Sequence, residues 1–97
     1  MTVKPSHKTE LLRIIHTYLP HCKVWLFGSR ATGKQRPGSD IDLALDNGQK
    51  ISWGTITRML IDIEETTIPM KVDFVDLYSV DEDFKKQALS EGILWTD

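Results

Sequence analysis

Cysteine is nearly absent: Cys22 stands alone, so no internal disulfide can form and nothing points to an oxidising compartment. Long apolar runs are missing as well. None reaches the length that crosses a bilayer, and the first residues are too polar for a secretory signal, so the expected location is cytoplasmic, with no membrane contact. There is no basic excess: a formal net charge of −2 argues against direct, stand-alone binding of nucleic acid. The three histidines, His7, His16 and His21, lack the tight spacing of metal ligands and read as surface or packing residues. Repeats, linkers and low-complexity stretches are absent too. What remains is ordinary: 97 residues, 40% apolar and 27% charged, are expected to form one domain over residues 1–97 around a single core.

The periodicities give an element order. Ser6 is placed to cap a helix carrying Leu11, Leu12, Ile15, Tyr18 and Leu19, which Pro20 ends. Lys23 to Phe27 reads as a first buried strand, with Trp25 in the core, and residues 28 to 33 as a short helical turn. Arg36-Pro37-Gly38-Ser39 is loop chemistry. From Asp40 to Asp46 the chain alternates: Ile41, Leu43 and Leu45 on one side, Asp40, Asp42, Ala44 and Asp46 on the other. That is a strand with one face in the core. A helix is expected from Ser52 to about Thr66, a strand from Lys71 to Leu77, and a last helix capped by Asp81 and stopped at Gly92. Ile93, Leu94 and Trp95 form an apolar tail, read either as an edge strand on the chain's own core or as a surface for a partner. The economical packing is α/β (α+β): a small mixed sheet of three or four strands with flanking helices.

The chemistry lies between Gly28 and Leu45. A Gly-Ser turn able to hold phosphate stands twelve residues before the Asp40-x-Asp42 pair. On a strand, Asp40 and Asp42 project from one face with Cα atoms about 7 Å apart. Two carboxylates so placed repel each other unless a cation lies between them. Mg²⁺ takes oxygen ligands and leaves positions for water and phosphate. Two such ions roughly 3.5–4 Å apart activate an attacking oxygen and stabilise a leaving one. Asp73, mid-strand, is the candidate third carboxylate, holding the ion that meets the nucleophile and accepting its proton. Asp76 points away by alternation and Asp46 lies at the far end of its strand, so both rank lower. Gly28 lets the backbone approach a phosphate, and Ser29 adds a hydroxyl and an N–H. Arg30, Lys34 and Arg36 supply positive charge for a leaving pyrophosphate, although Arg30 has the alternative of pairing with a nearby Asp. Each feature alone has a plain reading, the Gly-Ser as a turn and the Asp pair as a solvated edge. Together, behind an apolar strand, they point to a nucleotide site.

The motif Gly28-Ser29-Arg30-Ala31-x-Gly33-x5-Ser39-Asp40-x-Asp42-Leu43 resembles the polymerase beta-like nucleotidyltransferase superfamily. It is more closely similar to the minimal nucleotidyltransferases (MNT), the MntA-like antitoxins of HEPN/MNT toxin–antitoxin pairs. Asp73 in Lys-Val-Asp-Phe-Val-Asp-Leu matches the family's third carboxylate, and Phe84-Lys-Lys with Glu91-Gly92-Ile-Leu-Trp is similar to the way these short proteins end. The resemblance implies Mg²⁺-dependent transfer of AMP from ATP to a tyrosine hydroxyl of a HEPN toxin, silencing it, with the two proteins forming a hetero-oligomer. It also implies metal binding by Asp40, Asp42 and Asp73 and nucleotide contact through Gly28 and Ser29, with Arg30 and Ser39 in the same motif. Larger relatives add domains that grip base or acceptor, for which this length leaves no room. Either triphosphate and metals hold the nucleotide, or a partner completes the site. Two other readings stand beside the antitoxin: a nucleotidyltransferase for small molecules of the aminoglycoside type, and a module that neutralises its partner by contact alone.

Overall fold

Alternating apolar residues in two short strands build the centre of the molecule. The computed structural model describes residues 3–96. In chain order the elements are α1 (Pro5–Tyr18), β1 (Lys23–Phe27), α2 (Ser29–Thr32), β2 (Ile41–Asp46), α3 (Trp53–Glu64), β3 (Val72–Asp76), α4 (Glu82–Glu91) and β4 (Ile93–Leu94). The strands form one mixed sheet in the order β3-β2-β1-β4. β1 pairs antiparallel with both β2 and β4, whereas β2 and β3 run parallel, joined by α3. Among the described residues, no helix is long and apolar enough to cross a membrane.

Ile41, Leu43 and Leu45 of β2 join Val24 and Leu26 of β1 beneath α1 and α3, whose Leu11, Ile14, Ile15, Met59 and Ile63 complete the main core. Each such side chain, taken out of water, contributes roughly 1.5–3 kcal/mol. The opposite face is only partly covered. There α4 lays Ala88 against Ala44 and Leu77, with Trp25 and Phe27 packed alongside. Trp25 therefore belongs to this second, half-buried cluster and not to the main core, because its neighbours Val24 and Leu26 take the other face.

The helix starts follow local chemistry. Ser52 accepts from the Thr55 amide at 3.2 Å and Asp81 from the Phe84 amide at 2.7 Å, so α3 and α4 are capped as their sequences suggest. α1 differs from expectation. It begins at Pro5 with Lys4 as N-cap and no side-chain cap, leaving Ser6 inside the first turn. Proline's fixed φ and missing N–H suit the first helical position, and that preference prevails over the serine. The apolar tail resolves as the edge strand β4, with Trp95 N donating to the Val24 carbonyl at 2.8 Å. Gly92 makes the tight passage from α4 into β4 possible, since a Cβ there would collide with the Ala88 carbonyl.

Candidate active site

Where β1 ends, the chain must turn sharply beside the first residues of β2. Gly28 does this with φ 73° and ψ −155°, a backbone region that is essentially glycine's own. The space matters as much as the angle, because the position of a Cβ on Gly28 is already taken by the Asp42 carboxylate. α2 follows at once and closes at Gly33 in the left-handed conformation. The amides of Ala31 and Thr32 bond back to the Gly28 carbonyl at 3.1 and 3.3 Å. The part of the turn suited to an anion is therefore its opening, Gly28 and Ser29, before the intrahelical bonds begin.

The loop that returns to β2 is held from inside. Arg30 is buried, and its Nε and Nη2 donate to the Ser39 carbonyl at 3.1 and 2.8 Å. Ser39 Oγ accepts from the Arg36 amide at 2.8 Å, and Ser39 N donates to the Arg36 carbonyl at 2.9 Å. Arg30 and Ser39 thus set the loop in front of Asp40, while Lys34 is exposed and Arg36 lies on the same outer loop. The guanidinium expected beside a leaving group is instead turned inward to fix the loop.

Asp40 is exposed and stands one residue before β2, which begins at Ile41 and not at Asp40 as expected. Asp42 is half-buried and lies opposite Phe27 on one side and Asp73 on the other. Residues paired across a sheet share a face, so Asp42 and Asp73 sit side by side on the face that α4 leaves open. Burial pushes the Asp42 carboxyl above its ordinary range, and the charges of Asp73 and Asp40 push it further; Lys71 partly offsets them. Lys71 Nζ lies 3.7 Å from Asp73 Oδ1. Lys71 was not singled out from the sequence, although its place two residues before Asp73 on one strand was the signal that could have found it. Asp76 turns elsewhere, its carboxylate accepting from the amides of Ile51 and Tyr78 and from the Ser79 hydroxyl, which makes it a loop-holding residue.

The donor set fits a hard cation: oxygen ligands only, with Asp40 and Asp73 crowding the half-buried Asp42. Among the described residues, no three His, Cys, Asp or Glu side chains already converge as a ligand cage. The backbone brings Asp42 and Asp73 together. Two other singled-out residues, His16 and Cys22, are held within the fold. His16 Nε2 lies 3.0 Å from the Cys22 carbonyl. Cys22 is buried, and its thiol is pushed up to about 12, mainly by burial.

An anion turn facing paired carboxylates on the open face of a mixed sheet suits an enzyme that works on phosphate esters. Comparison with known proteins narrows the class. Residues 10–96 match the family model described as "Polymerase beta, Nucleotidyltransferase". A probable protein adenylyltransferase, MntA, of Haemophilus influenzae is 35% identical over 83 residues, covering 81% of this chain and 73% of that protein. Among solved structures, a toxin–antitoxin complex with AMP-PNP superposes with a TM-score of 0.78 at 23% identity, covering 93% of this chain and 73% of that one. The tri-AMPylated HEPN toxin of Shewanella oneidensis in complex with its MNT antitoxin gives 0.74 at 19% identity, covering 100% and 74%. The chain belongs to the polymerase beta nucleotidyltransferases, as an MntA-like enzyme with that family's α+β fold.

Proposed function

We propose that this chain transfers AMP from ATP to a tyrosine hydroxyl of a HEPN-type toxin and so serves as its antitoxin. The observation that carries the chemistry is the register of β2 on β3, which sets Asp42 against Asp73 beside the glycine turn. The nature of the acceptor is supported by the relatives, an adenylyltransferase and AMPylated toxin complexes.

In this reading Gly28 and Ser29 would hold the β and γ phosphates, and Asp40, Asp42 and Asp73 would hold Mg²⁺, two ions in all. Bound Mg²⁺ supplies charge neutralisation at the α phosphate and on the leaving pyrophosphate. Asp73 takes the proton of the acceptor hydroxyl as the new O–Pα bond forms and the bond from Pα to the bridging oxygen breaks. Pyrophosphate departs with that oxygen, so atoms and charge balance. Lys71, beside Asp73, would have to give way for Asp73 to hold a cation. Arg30 positions Asp40 by fixing the loop before it.

The test is incubation with Mg²⁺, α-labelled ATP and an extract of the source cells, beside the Asp40→Asn/Asp42→Asn variant. A labelled protein band that requires the intact carboxylates supports the proposal and gives the partner's size. Pyrophosphate release with no labelled protein would transfer the reading to a small-molecule acceptor. Full neutralisation of the toxin by the double variant would favour the contact-only module.

A further inference from the structure

In-line displacement at phosphorus puts the attacking and leaving oxygens on opposite sides. Gly28 and Ser29, assigned above to the leaving pyrophosphate, flank Asp42 on the β1 side, and Asp73 flanks it on the β3 side. The acceptor hydroxyl therefore arrives over β3, and β3 is the outermost strand there. Its inward bonds use odd-numbered residues: the Lys71 carbonyl accepts from Ile41 N at 2.8 Å, and Leu77 N donates to the Leu45 carbonyl at 2.9 Å. By the two-residue period, Val72 and Phe74 turn their N–H and C=O groups to the open edge. Such an edge is a template for another strand. Along it, between α3 and β3, runs a cleft of about 480 Å³ that reaches Asp73 and is walled by Leu60, Ile68, Met70 and Val72, with one charge of each sign, Glu64 and Lys71, also lining it.

We infer that the partner's acceptor segment docks as an extended strand on the open edge of β3. Its hydroxyl-bearing residue lies on the Asp73 face, and the residues on either side drop apolar side chains into the cleft walled by Leu60, Ile68 and Met70. The inference deepens the protein-acceptor reading above and rests on it. Neighbouring side chains of a strand point to opposite faces, as Val72 and Asp73 themselves do, so one extended segment meets both features at once. Main-chain bonds supply affinity in this mode and alternate pockets supply selectivity.

The test uses the whole protein, Mg²⁺, α-labelled ATP and two short peptides, each with one central tyrosine, flanked on both sides by leucine or by lysine. The leucine-flanked peptide is expected to be the better acceptor by about tenfold or more in kcat/KM. Met70→Glu is expected to reverse that order, and Leu60→Glu, on the other wall, repeats the switch if the first variant fails to fold. Equal use of both peptides by the wild type, or an unchanged order in a folded variant, would overturn the inference. Failure to label either peptide while a protein in the extract is labelled would overturn edge docking and leave the protein-acceptor reading intact. Pyrophosphate release with neither peptide nor protein labelled would remove both.

Discussion

Gly28 and Asp42 occupy each other's space: a Cβ on Gly28 would fall 2.5 Å from Asp42 Oδ2. The glycine turn and the Asp42 carboxylate are thus one steric unit, although they lie on different segments of the chain. Gly28→Ala has to move one or the other, at a backbone angle that alanine resists. Transfer activity is expected to fall roughly 10²-fold or more, the usual result of misplacing a reacting group by an ångström. Steady-state kinetics with ATP as the varied substrate would check this; near-normal kcat would show that the two parts are not coupled.

Asp42 is expected to set stability and activity against each other. Its folded carboxyl ionises less readily than an unfolded one, so its contribution to stability is present at low pH and lost as pH rises through the folded value. At neutral pH and without divalent ions, Asp42→Asn is therefore expected to melt at or above the wild-type temperature. Activity is expected to fall on the order of 10³-fold. Added Mg²⁺ should raise the wild-type melting temperature through binding and leave the variant nearly unmoved. Thermal melts with EDTA and with Mg²⁺ decide the matter.

Arg30 fixes the loop in front of Asp40. Arg30→Lys keeps the charge but cannot reproduce the paired hold of Nε and Nη2 on the Ser39 carbonyl. A loss of about 1–3 kcal/mol in stability is expected. Rate should fall with it, and because Asp40 loses its placement, raised Mg²⁺ should recover part of the rate. A variant whose deficit is indifferent to Mg²⁺ would show a structural role only.

Cys22 should be chemically silent in the folded protein. With its thiol held to about 12, it is expected to resist a disulfide-exchange reagent at pH 8 and to react fully once the chain is unfolded in guanidinium. The sign of its pH effect follows: above the ordinary thiol value of 9.0 the unfolded chain releases a proton that the folded chain keeps. Stability then falls by at most about 1.4 kcal/mol per pH unit from this group. Denaturant titrations of wild type and Cys22→Ala across that range would isolate it.

Elements whose signal is local were legible in the sequence. The alternation of Ile41, Leu43 and Leu45 marks β2 because a two-residue period puts all three on one side of an extended chain and scatters them around a helix. Ser52 and Asp81 mark helix starts through a single hydrogen bond each. The start of α1 was misplaced by two residues, with Lys4 and not Ser6 as N-cap, because two local preferences, Pro5 and Ser6, compete there. Contacts between distant segments were not legible. The strand order, the face taken by Trp25 and the union of Gly28 with Asp42 come from packing of segments far apart in the chain. Asp42 and Asp73 were each visible as candidates, but their direct register was not, since periodicity gives the face of a strand and not its neighbour.

The pairing of β4 with β1 has a consequence for how the newly made protein matures. Val24, which leads towards the glycine turn, donates its amide to the Thr96 hydroxyl 72 residues later. Long-range pairings of this kind close late because the intervening chain must first be ordered. Until residues 93 and 94 pair with β1, that strand has β2 on one side and nothing on the other. The strand that feeds the glycine turn is therefore flanked on both sides only after the whole of the chain between β1 and β4 has found its place.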